Sequence, residues 1–389
     1  MENVVITAAV RTPTGKLLGK LSSLSAPALS TFVIEELLRR SRIEKSLIDE
    51  VIMGNVISSG IGQNPARQSA ILSGLPDSTA AFTVNKVCAS GLKAVALAAQ
   101  AIKLGDTEII IAGGMESMSN APHLLRDLRK GKRYGDCVAV DSMIYDGLWD
   151  CYYNAHMGAL CEDTALRYNI SREEQDFYAL QSHLKAIAAT DSGVFSEEIV
   201  SVKKGNTVIL EHDETIRRDT DLKKLAALKP AFKPTGTVTA GNSPGLNDGA
   251  AALILMSEKK ARELDITPLA EIIGYAPAHT DPKWYTIAPV KSVQAVLKKT
   301  GLRLDDFDLI EENEAFAAQT LAVAKELDID IAKLNVHGGA IALGHPIGAS
   351  GARLLVTLIN ALRNRKKKLG LATLCLGGGG AYTMAIRAL

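Results

Sequence analysis

Aromatic residues are scarce in this chain of 389 residues, where they make up 5% and include two tryptophans. Aliphatic and small side chains must therefore do most of the packing, although hydrophobic residues reach 47%. Charge bias is also lacking, since 44 basic residues balance 43 acidic ones and leave a formal net charge of +1. This balance gives no global attraction to nucleic acid or to an anionic membrane, so any bound anion must be held by a local cluster.

Cysteine is sparse, and its spacing excludes two common uses. The five cysteines are an odd number and show no C-x-x-C spacing. We therefore expect neither a disulfide framework nor a zinc site, and reduced cytosolic thiols are the default. The cysteines are Cys88, Cys137, Cys151, Cys161 and Cys375.

Long apolar runs and targeting segments are not expected either. No apolar run in the sequence approaches the length of a membrane span. The chain opens on Val4-Val5-Ile6, which predicts a strand and leaves no room for a signal or transit peptide. Its last residues, Arg387-Ala388-Leu389, do not match a peroxisomal address. The expectation is a cytoplasmic protein of two or three domains.

A weak internal repeat, about 260 residues apart, is the clearest large-scale feature. In each half a helical pattern leads to an apolar strand, and an Ala-Ser-Gly run then opens a helix before a second strand ending in Gly-Gly. Asn55 and Ser90 are 35 residues apart, and Asn313 and Ser350 are 37 apart. This order favours a duplication and a parallel sheet with helical crossovers. The helix and strand segments are 29–40, 51–53, 92–102 and 109–111, and then 290–299, 309–310, 355–362 and 371–375.

Residues 119–248 differ from both halves, because they are richer in charge and in tyrosine. Ser171 and Glu174 predict a capping box at the start of a helix. We interpret this region as an insertion that returns to the first domain near Asp248. The apolar face predicted for its helix consists of Phe177, Leu180, Leu184 and Ile187.

Cys88 and His345 are the first two candidate site residues. Cys88 precedes an apolar-faced helix, whose unpaired amides would favour a thiolate and lower the thiol pKa. The alternative interpretation of Cys88 is a small apolar residue buried in the core, which is where free cysteines commonly lie. His345 lies in a Gly-rich loop, where a structural histidine or a phosphate cradle is the alternative, although the Walker pattern is absent.

Cys375 and Asn313 are predicted at strand ends of the same repeat. Cys375 precedes a run of glycines, whose bare amides can approach an oxyanion, although a lone cysteine here would be assigned to the core. Asn313 can orient a water or a carbonyl, or simply make a turn. Because ligands collect at the carboxyl ends of parallel strands, one crevice can gather all four candidates. A thiol beside an imidazole is an activated nucleophile, and a second thiol can then act as acid or base.

Five motifs resemble those of the thiolase family, in that family's order and over nearly the whole chain. Several long motifs in register are far more specific than any one of them. They are Asn-Lys-Val-Cys-Ala-Ser-Gly at 85–91, Gly-Gly-Met-Glu-Ser-Met at 113–118, Asn-Glu-Ala-Phe-Ala at 313–317, Gly-Ala-Ile-Ala-Leu-Gly-His-Pro-Ile-Gly-Ala-Ser-Gly at 339–351 and Cys-Leu-Gly-Gly-Gly at 375–379.

The resemblance implies two similar α/β halves packed as a five-layer αβαβα core, with an inserted loop domain for coenzyme A. Cys88 would take the acyl group as a thioester, with His345 activating it. Cys375 would move the proton at the α-carbon of the second substrate. Asn313, through a water, would join His345 in one oxyanion site, and the amides of Cys88 and Gly377 would form the other. The expected boundaries are 1–118 for the N-terminal half, completed by 249–268, then 119–248 for the loop domain and 269–389 for the C-terminal half.

The implied reaction is ping-pong acyl transfer, in which two acetyl-CoA give acetoacetyl-CoA and free coenzyme A, or the reverse. Coenzyme A thioesters are then the substrates, and no metal or redox cofactor is required. No nucleic acid and no membrane are expected as partners. The family resemblance implies a homo-oligomer, either a dimer or a tetramer, and other enzymes of acyl-CoA pathways as further partners.

The substrate residues are also implied by the resemblance. His156-Met157-Gly158 resembles the pantetheine-loop motif of the short-chain type, where a Met fills space that a longer acyl tail needs; a helix start with a buried Met is the alternative. Arg217 and Lys224 would face the nucleotide phosphates, or belong to a solvated basic face. Pro244 stands where many relatives carry a serine that contacts pantetheine, and proline offers no hydroxyl. The remaining expected substrate residues are Phe232, Ala240, Ser243, Ala315 and Phe316.

Other functions stay open from the sequence. A ketoacyl synthase-like condensing enzyme would use a cysteine with two histidines, which Cys375 argues against. A cysteine hydrolase needs a Cys–His pair but no second thiol beside a glycine run. A non-catalytic acyl-CoA carrier would be expected to lose one of the four polar groups. Within the family, a broader-chain 3-ketoacyl-CoA thiolase of fatty-acid degradation is the alternative.

Overall fold

The computed structural model describes residues 2–389. Its strands are β1 (Val4–Arg11), β2 (Gly15–Lys16), β3 (Glu50–Gly54), β4 (Ala80–Val84), β5 (Ile109–Ser117), β6 (His123–Leu124), β7 (Val140–Asp141), β8 (Trp149–Asp150), β9 (Ala155–His156), β10 (Val202–Lys204), β11 (Thr207–Leu210), β12 (Asn247–Ser257), β13 (Ala270–His279), β14 (Leu309–Glu312), β15 (Leu369–Leu376) and β16 (Gly380–Ala388). Its α-helices are α1 (Ala26–Ser41), α2 (Pro65–Leu72), α3 (Ser90–Leu104), α4 (Ser142–Gly147), α5 (Met157–Arg167), α6 (Arg172–Asp191), α7 (Leu222–Ala226), α8 (Glu258–Glu263), α9 (Ala288–Thr300), α10 (Ala317–Leu327), α11 (Ala340–Leu343) and α12 (Ile347–Asn364).

The main sheet contains the same arrangement of strands twice. Over residues 2–389 it runs β14-β15-β16-β13-β1-β12-β5-β3-β4, with β2 paired to β12. The order β3-β5-β12-β1 in the first half matches β14-β15-β16-β13 in the second, and in each the first pair is parallel and the next two are antiparallel. The copies meet where Val5 and Ile6 of β1 pair with β13. The duplication predicted from the sequence is therefore present in the fold.

The prediction of a parallel sheet is right only for the crossover pairs. β12 and β16 each run antiparallel to the preceding strand of their copy, so the sheet is mixed. β5 also continues past Gly113-Gly114 to Ser117, whereas the sequence predicted a stop at those glycines. A Cβ on Gly113 would lie 2.1 Å from the carbonyl oxygen of Ala251. Gly113 therefore serves a close approach to β12, and Gly114 serves one to the first turn of α12, where a Cβ would lie 2.0 Å from the carbonyl oxygen of Gly348.

Helices on both faces of the two copies produce five layers. α1 and α2 pack on the outer face of the first copy, and α9 and α10 pack on that of the second. α3 and α12 lie between the copies and share one apolar cluster with both. The side chains predicted for the apolar faces of these two helices are all buried: Leu92, Val95, Ala99, Ile102, Leu355, Leu358, Ile359 and Leu362.

The window Val87–Leu104, which contains α3, is an 18-residue stretch made up mostly of apolar residues. By length and composition alone it is apolar enough to cross a membrane, so the expectation that no run approaches this length is wrong here. Its helix packs against α12 in the middle layer. Such apolarity is typical of a helix enclosed by a protein core.

The first turns of α3 and α12 touch each other at glycines. A Cβ on Gly91 would lie 2.8 Å from the backbone nitrogen of Ala352, and a Cβ on Gly351 would lie 2.5 Å from that of Leu92. These glycines are equivalent in the Ala-Ser-Gly repeat. Because the two helices begin side by side, the residues just before them are brought to one place in the molecule.

The segment between β5 and β12 adds strands that, within the described chain, pair only with one another: β6 with β7, β8 with β9 and β10 with β11. It also contributes α4 to α7. The boundaries assigned to a loop domain stay a prediction.

The capping box predicted for α6 is present, since Ser171 and Glu174 bond reciprocally across its first turn. The apolar face predicted for this helix is wrong. Phe177 is 54% exposed and Leu184 is 47% exposed. The helix instead turns Tyr178 and Ser182 inward, where both hydroxyls donate to a buried carboxylate in the second half. A polar contact therefore decides the orientation of α6.

Candidate active site

A cavity of about 380 Å³ lies where the first turns of α3 and α12 face the 119–248 segment. Of the site residues predicted from the sequence, Asn313 and Lys224 are absent from its lining over residues 2–389. The predicted residues that do line it are Cys88, His156, Met157, Arg217, Phe232, Ala240, Ser243, Ala315, Phe316, His345, Cys375 and Gly377. The fold thus gathers residues that are up to 289 positions apart, from Cys88 to Gly377.

Cys88 lies two residues before α3 on a strained turn. Val87 has a φ of 48°, in the left-handed region that β-branched residues rarely adopt. Ser90 stabilises the turn, because its hydroxyl accepts from the Lys86 nitrogen at 2.8 Å and donates to the Val87 oxygen at 2.7 Å. Strain of this kind concentrates at functional sites, where the surrounding structure holds it.

The Cys88 thiol is not a resting thiolate. Burial raises its pKa to about 12, and Glu116 adds to the increase, while the backbone amides of Gly377 and Cys88 act in the opposite direction. The predicted lowering of this pKa by helix amides is therefore wrong in its net sign, because desolvation outweighs the amide contribution. Attack by Cys88 consequently requires a base.

His345 is held by hydrogen bonds on both ring nitrogens. Nε2 lies 3.4 Å from Nδ2 of Asn313, and Nδ1 lies 2.6 Å from Oγ of Ser350. The Ser350 hydroxyl donates to the carbonyl oxygen of Pro346 at 2.8 Å. With that proton so directed, Nδ1–H donates to Ser350, and Nε2 is left as the acceptor. The backbone nitrogen of His345 donates to Oδ1 of Asn247 at 2.8 Å, which fixes the loop.

Burial lowers the pKa of His345 to about 3, and the Arg353 guanidinium contributes to the shift. The imidazole is therefore neutral across the physiological range, which is the form that a general base needs. Asn313 is fully buried beside it, directly after β14.

Cys375 lies at the end of β15 and is 1% exposed. Burial raises its pKa well above the usual range, and Cys88 and Glu312 add to this increase. A thiol of high pKa is a strong base once its proton has gone. Beyond it, a Cβ on Gly377 would be in ordinary van der Waals contact with Val87 and Met157, at 3.5 and 3.7 Å, so these two side chains lie next to this residue.

Glu116 is a positioning residue for which no role was predicted, although it lies in the quoted motif 113–118. Its buried carboxylate accepts from Asn55 Nδ2 at 2.7 Å and from the backbone nitrogen of Gly348 at 2.9 Å. It also accepts from the nitrogens of Val56 and Ile57 at 3.1 and 3.2 Å. Glu116 thereby fixes the first turn of α12 to the end of β3, and burial raises its pKa to about 7.

The channel towards solvent is aromatic at one wall and polar at another. His156 stacks on Phe232 at a centroid distance of 4.7 Å, and Phe232 meets Phe316 edge-on at 5.9 Å. Oγ of Ser243 is buried and has no hydrogen-bond partner among the described residues, so it is available to a polar ligand. Pro244 lines the cavity next to it.

The two basic residues predicted to face phosphates differ in position. Arg217 lines the cavity and is exposed at its rim, with Nη2 3.5 Å from the carbonyl oxygen of Ala240. Lys224 is exposed on α7, and its Nζ lies 2.9 Å from Oδ2 of Asp219. Arg217 is therefore the better placed of the two for a ligand in the cavity.

The five cysteines are all free thiols, of which Cys137 and Cys151 are exposed. Cys88 and Cys375 line the cavity. Within residues 2–389, no group of three or more His, Cys, Asp or Glu side chains is placed to hold a metal ion.

Comparison with known proteins gives a consistent result over the full length. A family model described as the N-terminal domain of thiolase matches residues 4–259, and one described as the C-terminal domain matches residues 266–388. An acetyl-CoA acetyltransferase of Cupriavidus necator is 51% identical, with 99% of each chain covered. One of Escherichia coli strain K12 is 52% identical, with 100% of each chain covered.

A solved structure shows the same likeness. The crystal structure of the Bacillus anthracis acetyl-CoA acetyltransferase superposes with a TM-score of 0.98 at 44% identity. The match covers 100% of this chain and 99% of that one.

Proposed function

This chain belongs to the thiolase family, and on that premise we propose that it is an acetyl-CoA acetyltransferase. It is an acyltransferase that condenses two acetyl-CoA molecules to acetoacetyl-CoA and coenzyme A, or catalyses the reverse thiolysis. The observation that carries the proposal is the convergence of Cys88, His345 and Cys375 on one cavity. This set supplies a nucleophile, a neutral base and a second proton carrier.

In the first half-reaction, the Cys88 sulfur attacks the thioester carbonyl of acetyl-CoA while its proton passes to Nε2 of His345. The carbonyl oxygen gains negative charge, and the amides of Cys88 and Gly377 are the donors proposed to stabilise it. The C–S bond to coenzyme A then breaks, and the departing thiolate takes the proton of Cys375. The products are an acetyl thioester on Cys88, free coenzyme A and an imidazolium–thiolate pair of His345 and Cys375.

In the second half-reaction, the Cys375 thiolate removes a proton from the α-carbon of a second acetyl-CoA. The enolate oxygen is stabilised by His345 and, through a water, by Asn313. The α-carbon forms a bond to the acetyl carbonyl carbon, and the bond from that carbon to Cys88 breaks. The imidazolium returns its proton to the Cys88 sulfur, so all three groups regain their starting protonation states.

The rest of the cavity suits the long arm of coenzyme A. The stacked rings of His156, Phe232 and Phe316 offer an apolar wall, and the unpartnered hydroxyl of Ser243 can bond a pantetheine amide. This hydroxyl lies one residue from Pro244, where the family's serine contact is lost. Arg217 at the rim is available to a phosphate.

We further propose that the chain acts as a cytoplasmic homo-oligomer and needs no metal or redox cofactor. Thioester exchange, proton transfer and the C–C bond formation between two acetyl units involve no net oxidation or reduction, which supports the absence of a redox cofactor. Support for assembly comes from large apolar side chains that are exposed within 119–153, such as Leu128, Tyr134 and Val138 at 53, 96 and 72%. Sedimentation of the purified protein should give a dimer or tetramer, and a monomer at all concentrations would contradict this part.

Thiolysis of 3-ketoacyl-CoA substrates of increasing chain length tests the proposal. Acetoacetyl-CoA and coenzyme A should yield acetyl-CoA, and kcat/KM should fall as the chain is lengthened. Equal efficiency on a chain of about ten carbons would assign the broader-chain activity instead. Steady release of free acid, rather than acyl-CoA, would show a hydrolase and contradict acyl transfer.

A further inference from the structure

Tyr285 is a buried side chain of the cavity to which the mechanism above gives no task. It lines the same cavity as Cys88 and Cys375 and is 2% exposed. Its hydroxyl donates to the carbonyl oxygen of Met157 at 2.9 Å. Tyr285 also belongs to one apolar cluster with Met157, Phe316 and Cys375. The ring therefore lies at the thiol end of the cavity, away from the rim.

The backbone around Tyr285 is fixed on both sides. Thr286 is buried, and its Oγ1 lies 2.6 Å from Oγ1 of Thr164 on α5. Asp281 caps the short helix Pro282–Ile287, because its Oδ1 accepts from the nitrogen of Lys283 at 2.9 Å. The tyrosine is thus joined to α5 twice, through Thr164 and through the Met157 carbonyl. Such a ring cannot swing aside without breaking these contacts.

Met157 reaches the reacting groups from the first position of α5. Its Cε and Sδ lie 3.7 and 3.9 Å from the place that a Cβ on Gly377 would take. Its thioether therefore lies beside the proposed oxyanion amide, while its carbonyl oxygen is bonded by Tyr285. Methionine alone is a flexible wall that can rearrange around a longer ligand. A rigid ring behind it would remove that freedom.

We propose that Tyr285 determines acyl chain length: its ring closes the acyl end of the cavity, and its hydroxyl fixes the backbone of Met157, from which the thioether projects towards Gly377. This inference rests on the proposed function and adds a residue that specifies its substrate. The acyl groups accepted would be short, because a tail of several carbons would have to displace a ring that is anchored at both ends. The pKa of Tyr285 is raised well above its usual range by burial, so the hydroxyl keeps its donor proton at every working pH.

The test compares Tyr285→Leu and Tyr285→Phe with the wild type. The measured quantity is the ratio of kcat/KM for thiolysis of the six-carbon and four-carbon 3-ketoacyl-CoA. Effects on the shared coenzyme A portion cancel in this ratio. Tyr285→Leu should raise it by about tenfold, since one methylene in a fitted pocket changes discrimination by that order. Tyr285→Phe keeps the ring and loses one hydrogen bond, so we expect a rise of about threefold.

Tyr382→Leu is the matched control, because Tyr382 is also 2% exposed but belongs to the central core cluster. It should leave the ratio at the wild-type value, whatever it does to stability. A raised ratio in this control would show a general loosening of the core and overturn the specific role of Tyr285. An unchanged ratio in folded Tyr285→Leu would overturn it too.

If Tyr285→Leu does not fold, Tyr285→Phe tests the proposed role of Tyr285, because phenylalanine preserves the packed volume of the ring. A wild-type ratio in that variant would contradict the anchoring of Met157. Failure of the inference stays distinct from failure of the proposed function. Wild-type protein that does not cleave acetoacetyl-CoA would contradict the proposed function itself. An active wild type whose Tyr285 variants show an unchanged kcat/KM ratio would contradict only the role of Tyr285.

Discussion

Glu116 in the first copy of the fold and Cys375 in the second occupy equivalent places. Each lies two residues beyond the last parallel pair of its strand, β5 or β15. Asn55 and Asn313 are equivalent as well, since each follows the neighbouring strand of its copy. In the first copy the carboxylate of Glu116 accepts four N–H groups and joins the halves. In the second copy Cys375 lines the cavity, and Asn313 bonds the ring of His345.

The contrast between Glu116 and Cys375 shows that equivalent positions of the two copies serve different purposes. Where the polar atoms find partners inside the protein, as around Glu116, the position supports the frame. Where they are left for a ligand, as at Cys375, the position can carry chemistry. Oδ1 of Asn55 and Oδ1 of Asn313 are both buried without a hydrogen-bond partner within the described chain, so the distinction rests on Glu116 and Cys375 and not on the asparagines. Substitutions at equivalent positions should therefore change stability in one copy and rate in the other.

Cys375→Ala should show the largest effect, on rate. The variant should still acquire an acetyl group on Cys88, but condensation should fall by about 1,000-fold, the loss expected for a missing acid–base group. Its free energy of unfolding should change little compared with that of Glu116→Gln. Quenched-flow assays of the two half-reactions provide the measurement. Condensation near the wild-type rate would return Cys375 to the role of a packed core residue.

Glu116→Gln should show the reverse pattern, with a signature in pH. In the folded protein Glu116 keeps its proton up to about pH 7, whereas the unfolded chain loses it near 4.5. The contribution of Glu116 to the free energy of unfolding is thus complete below the pKa of the unfolded chain, 4.5. It is lost as pH rises through the pKa of the folded protein, about 7. Relative to the glutamine variant, which cannot ionise, the wild type should lose about 3 kcal/mol over this window.

Urea unfolding of both proteins at several pH values between about 5 and 8 measures this difference. Subtracting the two curves removes titrations that the proteins share. A difference that stays constant over the window would mean that Glu116 ionises normally and is not desolvated as described.

Ser350→Ala and Ser90→Ala form a matched pair at the two Ala-Ser-Gly starts. Ser350 bonds the His345 ring, so its loss should slow acetylation of Cys88 by about tenfold, equivalent to one hydrogen bond of roughly 1.4 kcal/mol. Ser90 bonds only the backbone of the turn, so its loss should lower the free energy of unfolding by about 1 kcal/mol, with a smaller change in rate. Stopped-flow acetylation and urea unfolding compare them directly. Equal rate losses in both variants would remove the distinction between the copies.

Ser243→Ala should have the smallest effect, because Ser243 lies outside both equivalent places. Loss of one neutral bond to the pantetheine arm should raise KM for acetyl-CoA by about threefold and leave kcat unchanged. Steady-state kinetics at several acetyl-CoA concentrations separate the two constants. A fall in kcat with constant KM would place Ser243 in the chemical step instead.

The candidate site was predictable where each residue sits next to a local signal. Cys88, His345 and Cys375 each adjoin a helix start or a strand end, and those features are visible as apolar periodicity and glycine runs. The predicted duplication likewise emerges as the repeated strand order of the sheet. Antiparallel insertion of β12 was missed, because its partners are contributed by strands more than 100 residues away.

Roles that depend on distant partners were not predictable. Glu116 lies in a quoted motif, yet its bond to Gly348 spans 232 residues and leaves no periodic pattern. Tyr285 gave no signal, because its contact with Met157 spans 128 residues. The face of α6 was predicted wrongly for the same reason: a hydrogen bond from Tyr178 to Glu314, 136 residues apart, outweighs the apolar stripe. The pKa of Cys88 was predicted wrongly, because a helix start in the sequence indicates nearby amides but does not show how far the folded chain buries the thiol.

Acylation of Cys88 by acetyl-CoA alone tests the central claim most directly. The protein is mixed with acetyl-CoA and digested, and the peptide masses are measured by mass spectrometry. The peptide that contains Cys88 should carry one acetyl group. Cys375→Ala should carry the same label, and Cys88→Ala should carry none and have no turnover. Persistent labelling of Cys88→Ala protein would mean that another residue attacks the thioester, and it would contradict the assignment of Cys88 as the nucleophile.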